Sequence, residues 1–521
     1  MDLASKNLYS RKIKTIEEVR ELIGQIPRNH KVIMCHGTFD VVHPGHIRHM
    51  LYAKTKADIL IASLTSDRHI TKGVMRPYVP EDLRAINLAA LEMVDYVIID
   101  HDPTPLKNLA FLQPDFYAKG YEYTAGAVHP KTEEEIKIID GYGGEMIFTP
   151  GDIVYSSSAL IELAPPSIGI EKLMLLMNSE GINFEDLRNA LSSLKGLIVH
   201  VIGDTIVDSY TYCSMIGGMT KTPTMSVRFD KKIDYTGGAA VVAKHLRAAG
   251  AEVTFSTVLG NDNFKEFVLS DLDLNGVITL PIIDETRPTT NKNAIVAESY
   301  RLLKVDTLDN RSISDKVLDR LKDQITNTPA QAIVFSDFRH GIFNKATIPT
   351  LASAIPSDAF KVADSQVASR WGNILEFEGF DLITPNEREA RFALGDQDSV
   401  VRPLANELYR RAQCKTLLLK CGSRGIIVYR SSILDDYRAF FVIDSFADNV
   451  VDAVGAGDAL LAYTTLAMVS TKNEVIAAIL GNMAAGVECE HEGNWLVTPD
   501  QVLAKIDAIE KVVKYEISAI Q

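Results

Sequence analysis

Residues Cys35–Met50 read CHGTFDVVHPGHIRHM. Just before them, KVIMC (31–35) is an apolar, β-branched run that predicts a strand. The stretch then enters HIRHMLYAKTKA (46–57), whose pattern predicts a helix. His43 and His46 therefore flank Pro44-Gly45 in a turn between a strand end and a helix start. In open α/β sheets ligands bind at that end of the strands. A helix N-terminus there offers unpaired N–H groups and the positive end of a dipole, which suits phosphate. Gly45 lets the backbone come close to a ligand, and imidazoles can donate hydrogen bonds to phosphoryl oxygens as charge builds. An isolated pair of histidines three apart reads equally well as a surface pair on a turn. As a metal pair it lacks an obvious third ligand. The surrounding sequence has to decide.

Apolar runs of this kind recur: DILIASL (58–64), DYVIID (95–100), EMIFTP (145–150), GLIVHVIGD (196–204), AIVFSD (332–337), DLITPN (381–386) and TLLLKCG (416–422). Each is followed by a turn and an amphipathic segment. Strands alternating with helices predict an α/β protein with parallel sheets and crossover helices. The pattern breaks at APPSIGI (164–170), where two prolines and a glycine intervene. NFEDLRNALSSLKG (183–196) then leads into a new βα series. The expected organisation is a first domain over 1–165, a linker and leading helix over 166–195, and a second domain over 196–521.

The 521 residues are 46% hydrophobic and 23% charged, with a net charge of −14. Such a chain can bury real cores. Its acidity argues against a general nucleic-acid binder, while a helix N-terminus with Mg²⁺ can still hold a nucleotide. The five cysteines include no CxxC pair, which argues against a disulfide framework or zinc site and for a reducing cytoplasm. The opening MDLASKNLYSRKIK lacks the apolar core of a signal peptide, and no run approaches a membrane span.

GTFDVVHPGH (37–46) resembles the signature of cytidylyltransferase-like nucleotidyltransferases, a Rossmann-like fold. SDRHITKGVMRPYVPEDLRAINLAALEMVDYV, PDFYAKGYEY and GGEMIFTPGDIVYSSSALI continue the likeness over nearly all of residues 30–162. The resemblance implies that an acceptor phosphate attacks the α-phosphorus of an NTP and pyrophosphate leaves. It gives His43 and His46 the transition-state contacts, and Thr38 and Phe39 backbone contacts to phosphates. Lys72 would neutralise phosphate, Arg84 would contact the nucleotide, and Ser156, Ser157 and Ser158 would hold its β- and γ-phosphates. The serine run also reads as a plain N-cap, and the two roles are compatible. Glycerol-3-phosphate cytidylyltransferases carry an arginine before the serine or threonine run. GDIVYSSS has none, and AKGYEY is closer to the ADP-heptose synthases' segment. Both differences favour ATP and a sugar phosphate.

VVDAVGAGDALLAYTTLAM (450–468) is a glycine-rich turn entering an apolar helix. By itself GAGD could be a helix-packing turn. It resembles the DTxGAGD signature of PfkB/ribokinase-type carbohydrate kinases, whose other segments follow in order over about 196–505. The resemblance makes Asp458 the base and Gly455, Ala456 and Gly457 the anion hole. It gives GDTIVDSY (203–210) a sugar-binding Asp208 and gives TGGAAVVA (236–243) the sugar-binding Gly237 and Gly238. Asn386 and Glu389 of TPNEREA (384–390) are linked to Mg²⁺, and Asn482 lies in the segment that closes over adenine. The two halves together resemble bifunctional heptose kinase/ADP-heptose synthases, with the order of the halves reversed. The expected substrates are nucleotides and small sugar phosphates, with ATP, Mg²⁺ and a homodimer.

The kinase half departs from that pattern. Val241 replaces an asparagine, His340 and Gln366 replace lysines, and Ala453 and Val454 occupy the places of the signature threonine. The expected consequence is a cleft poorer in positive charge. Three readings stand: a bifunctional enzyme of activated-heptose type; a CTP-dependent transferase acting on a polyol phosphate; and a transferase whose kinase-like half is a non-catalytic regulator or oligomerisation module.

Overall fold

The computed structural model describes residues 11–520 except 71–75, 121–129, 150–168, 218–224, 299, 367–372 and 432–438. It divides into two compact units. One comprises Met1–Met174 with Val400–Arg402 and Ile517–Gln521, the other Leu175–Ser399 and Pro403–Glu516.

The first unit is a five-stranded parallel sheet of β1 (Val32–Gly37), β2 (Ile59–Thr65), β3 (Tyr96–Asp100), β4 (Phe116–Gly120) and β5 (Glu145–Thr149), in the order β3-β2-β1-β4-β5. Alternate residues of β1 serve opposite faces. Ile33 and Cys35 join one core with Leu60 and Ala62, while Val32 and Met34 join the other with Ile61 and Tyr117. A sheet covered on both faces needs continuous apolar strands, and this is why those runs were readable. Strand order reverses at β1, so its carboxyl end opens onto the crevice where such sheets bind ligands. The helix α1 (Pro44–Lys54) starts there.

The second unit has a nine-stranded sheet and a four-stranded one. Its strands in chain order are β6 (Ile198–Gly203), β7 (Thr205–Gly217), β8 (Ser226–Gly238), β9 (Glu252–Leu259), β10 (Ile278–Ile283), β11 (Thr290–Ala297), β12 (Tyr300–Thr307), β13 (Ala332–Asp337), β14 (Phe360–Ser365), β15 (Leu382–Ile383), β16 (Thr416–Lys420), β17 (Ile426–Tyr429) and β18 (Phe440–Ile443). The large sheet runs β10-β9-β6-β13-β14-β15-β16-β17-β18, parallel up to β16 and antiparallel after it. All six residues of β13 are buried. The small sheet, β12-β11-β7-β8, was not anticipated. Its strands mix charged and apolar residues, and β12 is almost wholly exposed, so no apolar run announces it. GDTIVDSY is accordingly split: β6 ends at Gly203, and Asp208 lies in the small sheet on β7. DLITPN yields only the two-residue β15, because Asn386 already caps the next helix.

The end of β6 meets α2 (Ala239–Ala248) at very close range. A Cβ on Gly203 would overlap both the Ala239 methyl and the Ser336 carbonyl. Asp204 follows and accepts backbone N–H bonds from Phe338 (3.2 Å), His340 (3.1 Å) and Ile342 (3.3 Å). One buried carboxylate thus shapes the loop after β13. Among the described residues no helix is long and apolar enough to cross a membrane. Gly203→Ala should destabilise the second unit by ~1–3 kcal/mol, the usual cost of overpacking, seen as a lower urea midpoint. An unchanged midpoint would show that β6 and α2 can separate freely.

Candidate functional site

Two sites emerge, one in each unit. In the first, His43 is the N-cap of α1, and its Nδ1 accepts the Gly45 N–H at 3.1 Å. That bond leaves the ring proton on Nε2, which makes Nε2 a donor. The His43 and His46 rings stack at 3.8 Å, and Phe39 meets His46 edge-on at 5.2 Å. Burial pushes His43 below its ordinary pKa. Burial, with His43 and His49 alongside, takes His46 down to about 4. The pair is neutral at physiological pH, so each ring carries a single N–H, and His46 directs its own at the Val41 backbone.

The loop carrying Thr38 and Phe39 is held by two residues. Asp40, which the sequence reading passed over, accepts from Arg76 Nη1 (2.7 Å) and from the N–H groups of Tyr78 (3.0 Å) and Val79 (2.8 Å). Arg84 is fully buried, with its guanidinium on the Thr38 carbonyl and, at 2.5 Å, on Asp67. Its place is beneath the loop, where it fixes the Thr38 carbonyl. It was expected to face the nucleotide, but in this conformation its donors are directed at the protein. Phe39 holds a positive φ of 47°, an uncommon conformation for a bulky residue. Lys119 of AKGYEY pairs with Glu135 and donates to Thr132 at 3.0 Å. Lys72, Ser156, Ser157 and Ser158 lie outside the described residues.

In the second unit the named residues come together. Asp208, Gly237, Gly238, Asn386, Glu389, Gly455, Ala456, Gly457, Asp458 and Asn482 all line one cleft of about 630 Å³, a size that suits a small-molecule ligand. Asp208 on β7 enters it from the small sheet. A Cβ on Gly237 would overlap the Asp208 carboxylate, so glycine is what leaves that acid room. Gly455, at φ 90°, is the N-cap of α4 (Ala456–Thr471). A Cβ there would overlap Glu488. The first N–H groups of α4, at Ala456 and Gly457, have no intrahelical acceptor and are suited to an anion. Asn482, on α5 (Glu474–Cys489), donates to the Asp444 carbonyl at 2.8 Å. Gly481 lets α4 and α5 meet closely at Thr464.

The electrostatics are dominated by buried acids. Asp458 is 9% exposed. Burial, then Asp364 and Glu389, push it up to about 7, against the pull of Lys420. Burial also raises Glu389, and it takes Glu488 to about 8. Asn386 and Glu389 form a capping box on α3 (Glu387–Leu394): the Asn386 side chain accepts the Glu389 N–H at 2.9 Å, and Glu389 accepts the Asn386 N–H at 2.7 Å. This pair alone is a helix cap. Among the described residues no three His, Cys, Asp or Glu side chains form a metal cluster. Nearby, Asp364 Oδ2 is buried with no hydrogen-bond partner among the described residues. Mg²⁺ takes one or two carboxylates and completes its shell with phosphate oxygens and water, so Glu389 and Asp364 fit an ion that arrives with a nucleotide.

The cleft holds positive charge at positions the sequence reading did not single out. Gln366 and Val241 do line the cleft, but so do Lys292, Lys304 and Lys420. His340 turns aside and pairs with Asn310 at 2.8 Å. Lys292 and Lys304 lie on β11 and β12, and both act on Asp208, whose carboxyl is raised by burial. Sequence reading missed them because the small sheet that carries them was not read.

Residues 199–500 match the model of the pfkB family carbohydrate kinases, and residues 34–162 match the cytidylyltransferase-like model. The protein named bifunctional protein HldE of Pelobacter propionicus is 29% identical over 333 residues, covering 61% of this chain and 66% of that one. Its namesake in Sulfurimonas denitrificans is 27% identical over 311 residues, covering 58% and 62%. The chain spans just under two thirds of the length of these curated relatives. Among solved structures, phosphofructokinase-2 from Escherichia coli in complex with potassium matches with a TM-score of 0.50 at 17% identity, over 60% of this chain and 99% of that one. At that identity the likeness shows the fold alone.

The neutral histidine pair carries a direct check. The His46 ring resonances should stay flat between about pH 6 and pH 8, because the ring is already uncharged there. A titration in that range in ¹³C- or ¹⁵N-histidine spectra would show that the site holds a charged imidazole instead.

Proposed function

The chain belongs to the pfkB family of carbohydrate kinases, and on that premise we propose that it is a bifunctional enzyme of activated-sugar synthesis. The second unit phosphorylates C1 of a sugar phosphate with ATP. The first transfers a nucleotidyl group, adenylyl in preference to cytidylyl, to a sugar 1-phosphate. The carrying observation is the single cleft that joins Asp458, the N-terminus of α4 and Asp208.

In that cleft Asp208 binds sugar hydroxyls, and the sugar's own phosphate lies towards Lys292 and Lys304. The hydroxyl to be phosphorylated meets Asp458. Its proton passes to an Asp458 oxygen as the hydroxyl attacks the γ-phosphorus of ATP, and ADP leaves. A carboxyl held near pH 7 suits that proton transfer at physiological pH. The N–H groups at Ala456 and Gly457 stabilise the charge that develops on the phosphoryl oxygens. Mg²⁺, bound with the nucleotide against Glu389 and Asp364 and near Asn386, would neutralise phosphate charge. In the first unit the acceptor phosphate oxygen attacks the α-phosphorus, while neutral His43 and His46 meet the phosphoryl oxygens and pyrophosphate leaves.

The preference for ATP rests on the missing arginine before Ser156, on AKGYEY, and on the attached sugar kinase, which would make the 1-phosphate that the transferase consumes. The HldE proteins' name as bifunctional proteins agrees with two activities in one chain. A cytoplasmic, dimeric protein is the setting we propose.

Asp458→Asn should abolish sugar phosphorylation and leave pyrophosphate release intact, and His46→Ala should do the reverse with a loss of ~10²–10³-fold. Below about pH 7 the wild-type kinase kcat/KM should rise with pH as Asp458 ionises and then level off. Loss of both activities in a folded Asp458→Asn protein would contradict separate sites.

For the transferase, kcat/KM should favour ATP with heptose 1-phosphate over CTP with glycerol 3-phosphate, in the presence of Mg²⁺. A clear preference for the second pair would promote the polyol reading. No phosphoryl transfer to any sugar phosphate would promote the regulatory reading of the second unit.

A further inference from the structure

Lys420 ends β16 and points its ammonium into the acidic floor of the second unit's cleft. Its Nζ lies 2.8 Å from Asp364 Oδ1, and its charge is felt by Glu389 and Asp458 as well. On the other side, a Cβ added to Gly457 would stand 3.4 Å from the same Nζ. The ammonium therefore lies between the carboxylates and the first N–H groups of α4. We infer that Lys420 binds the phosphoryl group that this cleft transfers, and supplies there the positive charge that Gln366 does not. The inference rests on the kinase reading above and adds a phosphate-binding residue to it.

Four observations carry it. First, an ammonium has three donors, and Asp364 takes one. Asp364 Oδ1 also accepts the Thr384 hydroxyl at 2.7 Å, so this acid stays anchored when the lysine shares itself with a ligand. Second, Gly457 has no side chain to cover the ammonium, and Gly457 and Lys420 line the same cleft. Third, a phosphoryl group brought to Gly457 comes close to Asp458, with Glu389 and Asp364 nearby. Lys420 is the protein's own countercharge beside these acids, in addition to any Mg²⁺ that arrives with the nucleotide. Fourth, the position that resembles a lysine site in related kinases holds Gln366, whose Nε2 lies 3.4 Å from Asp458 Oδ1. A glutamine can orient that carboxylate, but it cannot neutralise a phosphate. The backbone fixes the lysine firmly: the Lys420 N–H donates to the Pro385 carbonyl at 2.9 Å, and Lys420 bridges Asn386 in parallel register.

The competing role is structural, with Lys420 merely pinning β16 to β14 across the short β15. Trp495 adjoins Asn494, which lines the cleft, and tryptophan fluorescence of the full chain is the readout. It should be titrated with AMP-PNP plus Mg²⁺ and, separately, with adenosine. Lys420→Met should weaken AMP-PNP by ~10-fold or more and leave adenosine unchanged, because only the phosphates meet the lysine. Lys420→Arg should keep most of the affinity. The double variant Lys420→Met/Gln366→Lys should recover part of it by moving the charge across the cleft. In turnover with a sugar phosphate that the wild type accepts, Lys420→Met should lower kcat by ~10²–10³-fold, the scale for one donor to a developing anion, with the sugar KM nearly unchanged. Equal losses for AMP-PNP and adenosine, or AMP-PNP affinity within about twofold of wild type, would overturn the assignment. A wild type that binds AMP-PNP yet phosphorylates no sugar would overturn the kinase reading alone, and the binding comparison would still decide Lys420. A wild type that binds neither nucleotide would overturn both.

Discussion

Asp364, Glu389 and Asp458 are carried into one floor by a strand, a helix start and a second helix start far apart in the chain, and burial works against the charge of Glu389 and Asp458. The Lys420 ammonium lies among them. Burial alone would lower its pKa, but Asp364, then Glu389 and Asp458, hold it raised. The carboxylates favour the charged ammonium, and the ammonium pulls Glu389 and Asp458 back down against burial and their acidic neighbours. The same balance leaves Asp458 near 7, ionised enough to take a proton and basic enough to want one. A more solvated Asp458 would be a weaker base, and a more isolated one would stay protonated. Chemistry and folding draw on the same desolvation.

Both units put their site in the same kind of place, where a parallel strand ends and a helix begins. In the first, β1 ends in the loop that leads to His43, and the imidazole itself caps α1. In the second, several strands end around the cleft, and α4 begins with glycine at a φ of 90°, which suits no other residue. The two anion sites differ in how they treat charge. On the proposed reading the first would meet phosphate with neutral imidazoles, while buried Asp40 and Arg84 shape the loop. The second is built from charged groups in near balance. The first site should therefore be the less sensitive to salt and pH, and the second the more so.

The large parallel sheets were readable because both their faces are buried. AIVFSD was read as a strand over 332–337, and β13 has those bounds. The glycine turns were readable because the backbone leaves no alternative at Gly455, where φ is 90°. The small sheet was not, because one-sided strands such as β12 expose charged residues along most of their length, and no apolar run marks them. Arg84 was legible as important but not in its direction. Its burial beneath Thr38 depends on the loop after β1, Asp67 after β2 and the helix Glu81–Ala89 coming together, which no local pattern encodes. Lys420 was in view as the polar residue ending TLLLKCG. Its meaning comes from Asp364, 56 residues earlier, and from Gly457 further on.

The departures at Val241, His340, Gln366 and Ala453-Val454 look like erosion when taken one at a time along the chain. In three dimensions they separate into different events. His340 is outside the cleft, bonded to Asn310, and so removes nothing from it. Val241 lies on the first turn of α2 beside Gly238 and changes the polarity of the sugar end, which Asp208, Lys292 and Lys304 still furnish with charge. Gln366 gives up a charge within reach of Asp458, and Lys420 holds one on the same carboxylate floor. Burying an ammonium among three acids costs more than an apolar floor of the same shape would. On the proposed reading, a phosphate in the cleft would meet Lys420 beside Asp364, Glu389 and Asp458, and that set of charges would have a use.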